Sequence, residues 1–332
     1  MDVICNIIIV VGIILLIVLL PIAVKRDKKD SLRRKYKKIN LDLDFEYTTE
    51  FESAYEKLLK KEFRQLEDIN IKIKKCNSTL ATIFLTMFIF AILITLSKTD
   101  VITTILVFYG TIYGALIFAV WWVRKLEKLK KEYALEYKRC VITEIIKAVD
   151  ETFVLKNISE NYENIKNLYE ELNFSEQSYD EFQADDYIFG EKSLVASGIF
   201  GNVNLKNSVP AEVEIKKIKT TLIQDIYSKI YDHEDMEEEI CIYSDNDILA
   251  NKLALSGITQ IMKDFYEKFG IEVEIILRDS SLYVWLLTDQ MFEPSANGKI
   301  LEKELLYFYY CSLILIIDLT KELNKVIDKI GL

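Results

Sequence analysis

Few residues in this chain have the type and spacing to do chemistry. The single histidine, His233, lies in the run Asp232-His233-Glu234-Asp235-Met236-Glu237-Glu238-Glu239. Carboxylate oxygens at that density can hold a divalent cation, but such a run reads first as a solvated acidic loop. Asp245-Asn246-Asp247 opens as a calcium loop does, yet Leu249 replaces the next oxygen ligand and Ala250 the required glycine. A helix N-cap accounts for the triplet better. Phe292-Glu293-Pro294 could hold Glu293 in a pocket; it reads more simply as the end of a strand that docks an aromatic ring in the core. Five cysteines, at 5, 76, 140, 241 and 311, form no CxxC pair. That spacing fits neither a disulfide framework nor a zinc site and suits a reducing compartment.

One histidine leaves Ser/His/Asp and Cys/His catalysis without support. No GxxxxGK[ST] or GxGxxG loop is present to cradle phosphate. No catalytic, cofactor-binding or metal-binding residue is therefore assigned, and no cofactor is expected. An enzyme acting through carboxylates stays open as the less favoured reading.

The elements that would position any site begin with three apolar runs. The first, Val3–Val24, is interrupted only by Asn6, Gly12 and Pro21. Its flank Met1-Asp2 lacks the cations of a signal peptide, so it is expected as a retained transmembrane helix (1–24). Leu80–Leu96 and Val101–Val123 are separated only by Ser97-Lys98-Thr99-Asp100 and read as a transmembrane hairpin over 80–123, with helices 80–96 and 101–123. Lys and Arg crowd 25–38, 72–75 and 124–131, which places those segments inside and the N-terminus and hairpin tip outside. The expectation is a multi-pass protein of the cell membrane, with the lipid bilayer as partner and a cytoplasmic C-terminal domain. Gly110, Gly114 and Ala115 make a small-residue strip on the third run, a candidate for helix packing and for a homo-oligomer. No span carries an ionisable group, which disfavours a carrier and leaves a small oligomeric pore as a further alternative.

Residues 25–79 read as a basic and amphipathic cytoplasmic segment. Phe51, Tyr55, Leu58, Leu59, Phe63 and Leu66 recur there at helical spacing. Residues 124–184 read as a helical stalk, with a stripe through Tyr133, Tyr137, Val141 and Ile145. Beyond 185 the period shortens. Glu239–Ser244 reads as a strand, and Ile248–Phe269 as a helix closed by Gly270. Ile271–Arg278 and Leu282–Thr288 read as a hairpin, with Glu272 and Glu274 alternating against Val273 and Ile275 as in a half-buried strand. Leu305–Ile317 is too short to span a membrane and reads as the core of a long terminal helix. The fold class expected is a membrane-anchored α+β protein: three transmembrane helices, a stalk, and a domain over 185–332 with a mainly antiparallel sheet. Residues 141–332 carry 36 acidic against 18 basic residues, a balance of −18 that disfavours nucleic acid as a partner.

From residue 51 the chain resembles an uncharacterised bacterial membrane-protein family, the domain of unknown function 3137. The resemblance rests on an ordered set of residues. Phe51 and Tyr55 precede the apolar hairpin. Asp186-Tyr187-Ile188-Phe189-Gly190 matches a strand opening. Ile242-Tyr243-Ser244-Asp245, followed by Ala250 and Leu255, matches a strand-to-helix element. Ser281-Leu282-Tyr283-Val284 leads to Phe292-Glu293-Pro294. Asn251 and Gly257 depart from the family's Arg and Pro, and the first apolar helix is an addition. The signature residues carried over are thus Asp186, Gly190, Tyr243, Ser244, Phe292, Glu293 and Pro294. The family has no assigned activity, so the resemblance implies an architecture and no chemistry. The functional expectation is a membrane-anchored interaction or envelope-associated protein of unknown biochemical activity, with an unidentified protein partner.

Overall fold

The computed structural model describes residues 45–96, 101–157, 186–189, 193–196, 200–217, 240–286, 292–294 and 299–330, with a few positions between 163 and 172. The expected helix Val3–Val24, the acidic run around His233, and Gly190 lie outside the described residues. The described chain forms two compact units. A helical unit takes Tyr47–Ala148 and Phe292–Tyr307; a sheet unit takes Val149–Met291 and Phe308–Leu332.

In the helical unit, α1 (Thr49–Leu59) starts at a Thr48 cap, whose hydroxyl accepts the Phe51 N–H. α2 (Arg64–Leu96) follows after a break at 60–63, so the apolar residues from Phe51 to Leu66 are not on one helix. α3 (Val101–Tyr137) packs beside α2, and the Trp122 indole donates to the Cys76 carbonyl at 2.9 Å. A single π-turn, Lys138–Ile142, joins α3 to α4 (Thr143–Val149).

The membrane reading is corrected here. Among the described residues no helix is long and apolar enough to cross a membrane. Neither apolar run is a helix in its own right. Leu80–Leu96 is the 17-residue second half of α2, short of the ~20 residues a span needs. The first half of α2 carries Arg64, Glu67, Asp68, Lys72, Lys74 and Lys75. Val101–Val123 continues without a break into the charged stretch Arg124–Lys131, and its exposed side mixes glycine and tyrosine with aliphatic groups and tryptophan. The transmembrane hairpin, the multi-pass placement in the cell membrane and the sidedness of the C-terminal domain lose the spans they rested on. The first helical run of the expected stalk ends at Val149, β1 (Val154–Asn157) follows, and the described positions 163, 166–167 and 171–172 are helical again.

The sheet unit holds one antiparallel sheet. After β1 come β2 (Asp186–Phe189), β3 (Ser193–Ala196), β4 (Phe200–Asn204), β5 (Val213–Lys217), β6 (Ile240–Ser244), β7 (Val273–Arg278) and β8 (Ser281–Leu286), in the spatial order β1-β2-β3-β4-β8-β7-β5-β6. The β7–β8 hairpin pairs Ile276 with Tyr283 and Arg278 with Ser281, which leaves Asp279 and Ser280 as the turn. Asp279 takes φ 54°, a left-handed value that aspartate tolerates. The turn then anchors the exit of β4, since the Leu205 N–H donates to the Ser280 carbonyl at 2.7 Å. The expected half-burial of β7 is not found. Val273 through Leu277 are all buried, Glu274 included, so both faces of this strand are covered.

The expected helix Ile248–Phe269 is two helices, α5 (Asp247–Ala254) and α6 (Ile258–Phe269), broken at Leu255–Gly257. Gly270, at φ 68°, ends α6 as expected. α7 (Lys303–Ile330) supplies Phe308, Leu313, Leu315, Ile316, Leu319 and Leu323 to the core from its part in this unit. Its Phe308 ring lies 5.2 Å from Phe269 of α6. Against β4 the approach is so close that a Cβ on Gly201 would stand 2.9 Å from Ile316 Cδ1. Gly201→Val should therefore lower stability by about 1–3 kcal/mol through overpacking. Adding Ile316→Ala should recover part of that loss, both read from urea midpoints.

Candidate functional site

The most distinctive chemistry among the described residues lies in the helical unit, at two places on one stretch of chain. The first is the outer side of α3. Gly110, Tyr113, Gly114, Ile117, Val120, Trp121 and Arg124 recur at three- and four-residue spacing and are all exposed. Ile117 is 72% exposed and Tyr113 62%, unusual for large apolar groups on one stripe. Apart from the local backbone of α3 itself, no described atom lies within 4 Å of the place where a Cβ on Gly110 or Gly114 would stand. An open hollow of about 380 Å³ is lined by Ile117, Val120, Trp121 and Arg124. Phe118, Trp121 and Trp122 form an aromatic cluster with ring centroids 5.3–5.8 Å apart. The Lys125 ammonium sits 5.4 and 5.0 Å from the two indole centroids. The cluster packs Trp121 against Phe118 and Trp122 beside the hollow.

The second place is the π-turn. Its extra residue lets the Thr143 N–H reach back to the Lys138 carbonyl and shifts the helix register. Lys138 thereby joins Tyr137, Val141 and Ile142 among the buried groups. Its ammonium pairs with the Glu293 carboxylate at 2.5 Å. Burial pushes the Tyr137 phenol far above its ordinary range, with Tyr133 and the carboxylates of Glu302 and Glu293 adding to the shift. On the other side of the turn Glu136 accepts two hydrogen bonds from Arg139, at 2.6 and 2.9 Å, and one from the Cys140 thiol at 3.0 Å. The paired Arg139 bonds hold the Glu136 carboxyl below its ordinary range, while burial opposes them. Burial, then the Glu136 contact, pushes the Cys140 thiol up and keeps it protonated and unreactive.

A third cluster fastens α1. Lys303 meets Glu52 at 2.6 Å and lies 4.0 and 5.3 Å from the ring centroids of Tyr47 and Tyr55. Phe51 and Tyr47 both contact Tyr307, each with centroids 4.8 Å apart.

The residues singled out from sequence do not gather into one site. Gly110 and Gly114 lie on the exposed side of α3, and Ala115 is the next residue along that helix. Phe292, Glu293 and Pro294 fall in the helical unit, whereas Asp186, Tyr243 and Ser244 fall in the sheet unit. Phe292 is fully buried at φ 62°, a strained value for an aromatic residue, and Glu293 is the partner of Lys138. Asp186 opens β2. Tyr243 and Ser244 end the edge strand β6. The Lys216 ammonium is 5.1 Å from the Tyr243 ring centroid, and burial pushes the Tyr243 phenol up to about 12. Ser244 accepts the Asn246 N–H at 3.1 Å, and the Asn246 side chain in turn caps α5 by accepting from Leu249. The triplet that opens like a calcium loop is thus a helix cap. Among the described residues no three His, Cys, Asp or Glu side chains come together to hold a metal ion.

Sequence reading missed Lys138 and the hollow. Nothing local marks a π-turn, and Trp121 lies within the run Val101–Val123 that reads as a span. Lys138 carried one usable signal, since it is adjacent to the buried stripe Tyr133–Tyr137–Val141.

The fold comprises an antiparallel sheet packed with helices in one unit and a separate helical unit. Residues 197–325 match the model of the family described as protein of unknown function (DUF3137). The family expected from the residue set is the one found, over the C-terminal stretch rather than from residue 51 onward. No curated protein and no solved structure matches the chain.

Two measurements probe the π-turn. Lys138→Met strands the Glu293 carboxylate and should cost about 3 kcal/mol; the double variant with Glu293→Gln should cost less than Lys138→Met alone. The lowered carboxyl of Glu136 stabilises the fold fully above the ordinary glutamate value of 4.5, and that contribution fades as pH falls through the lower folded value. Urea midpoints of wild type and Glu136→Gln should therefore differ at pH 7 and converge as pH drops below about 4.5.

Proposed function

We propose that the chain is a non-enzymatic interaction protein that docks a protein partner through the exposed side of α3. One observation carries this reading: the unbroken stripe from Gly110 to Arg124, with its large apolar groups exposed and its open hollow. Leaving apolar surface in water costs about 25 cal/mol per Å². A stripe of this extent is maintained at a cost unless something covers it. The hollow joins apolar walls to one guanidinium, the composition of a side-chain pocket at an interface centre. The ionic groups described elsewhere in this unit are engaged in holding it together. Lys138 pairs with Glu293, Arg139 with Glu136, and Lys303 with Glu52.

A photo-crosslinking amino acid in place of Ile117 should give a protein adduct of one discrete mass in cells. The same group at Leu255, which is 81% exposed in the sheet unit, should give none. Equal yields at the two positions, or no adduct at Ile117, would remove the proposal.

A further inference from the structure

The stripe on α3 has a pattern of small and large residues about Ile117. Three, four and seven residues before Ile117 stand Gly114, Tyr113 and Gly110; at the same distances after it stand Val120, Trp121 and Arg124. All six are exposed, and so is Ile117. We infer that the partner is a second copy of this chain, with the two α3 helices antiparallel and a two-fold axis passing at Ile117. This inference rests on the reading of the stripe as a docking surface and adds the identity and orientation of the occupant.

A two-fold axis at Ile117 sets each residue against the one equally far on its other side. Gly114 meets Val120 of the second copy, Gly110 meets Arg124, and Tyr113 meets Trp121. Each open glycine position, with no described atom beyond the local backbone of α3 within 4 Å of its absent Cβ, receives a larger side chain. Glycines at such contacts bring helix axes close, at the lower end of the usual range of about 8–10 Å. The Tyr113 ring enters the hollow formed by Val120, Trp121 and Arg124, where it stacks on the indole and its hydroxyl oxygen accepts from the guanidinium. A two-fold interface must be self-complementary, and this pattern of sizes is.

Charge selects the orientation. Arg124, Lys125, Lys128, Lys130 and Lys131 all lie towards one end of α3. Parallel packing would lay the two basic runs side by side. Antiparallel packing sets Arg124 opposite Gly110, so the two Arg124 residues lie about 21 Å apart along the axis. That exceeds the screening length of about 8 Å at physiological salt. Area also suffices. Tyr113, Ile117, Val120 and Trp121 are between 54% and 72% exposed. With the glycine and arginine surface between them, two such stripes would bury roughly 1,000 Å², enough for a specific interface of good complementarity.

Disulfide crosslinking of the full chain, with linked peptides identified by mass spectrometry, tests the register. A mixture of Tyr113→Cys and Trp121→Cys chains should give 113–121 links, and neither variant alone should link to itself. Because both substitutions remove interface side chains, a second measurement uses a site off the stripe. Spin labels on Lys128→Cys, with Cys5, Cys140 and Cys311 replaced by serine, should lie roughly 33 Å apart along the axis. Self-links at 113 and 121, or labels under about 15 Å apart, would mean a parallel pair and overturn the orientation while leaving the docking surface in place. A chain that gives no crosslink and no dipolar coupling, yet forms an adduct with another protein from Ile117, would overturn the second copy as partner. Absence of both crosslinks and adducts would remove the docking surface itself.

Discussion

The need to cover one side of α7 organises the sheet unit. From Phe308 onward this helix carries a near-continuous apolar stripe, and burying a Leu or Ile side chain is worth roughly 1.5–3 kcal/mol. Strands and helices are placed to meet that stripe. β4 offers Gly201, where only a residue without a Cβ admits Ile316 at its present distance. α6 brings Phe265 and Phe269 to Phe308. Polar ties then fix the rotation of the helix: Asn324 accepts the Lys206 N–H at 3.1 Å, and Glu322 accepts the Gly257 N–H at 3.3 Å. The Glu322 carboxyl is held low by Lys325, with the Gly257 contact adding to that, and so stays charged at the loop it secures.

The helical unit meets the same constraint only in part. Its inner residues, Phe51, Leu58, Leu66, Tyr137, Val141, Ile142 and Ile145, are buried almost completely. Where a charge falls among them, an opposite charge accompanies it, as Glu293 does Lys138. The outer stripe of α3 has no such cover among the described residues. Its glycines are open and its aromatic groups are braced by Lys125. An apolar stripe with an open hollow and one arginine is suited to recognition, and its size pattern about Ile117 is suited to a second copy.

Much of the sheet unit was legible in the sequence, because local chemistry decided it. The β7–β8 hairpin, the Gly270 stop and the cap at Asn246 each follow from residues whose backbone preferences are strong. The ordered residues from Tyr243 to Pro294 pointed to the family that residues 197–325 match. Other features escaped because they depend on context. Hydropathy along Leu80–Val123 counts apolar residues but not the charged turns of the same helices, and it led to spans that the described helices do not supply. Alternation in β7 suggested an exposed face, whereas Glu274 is buried. The π-turn and the ion pair between Lys138 and Glu293, 155 positions apart, leave no local signal. The candidate surface was half visible: the two glycines stood out as a packing strip, but the hollow beside them required the fold.

Sedimentation equilibrium of the intact chain over a wide concentration range tests the central claim most directly. The account predicts a mass twice the 38.8 kDa of one chain at micromolar concentration, falling to one chain when Ile117 is replaced by glutamate while the denaturation midpoint is retained. A wild-type chain that stays at 38.8 kDa throughout, or an Ile117→Glu chain that remains dimeric, would contradict it.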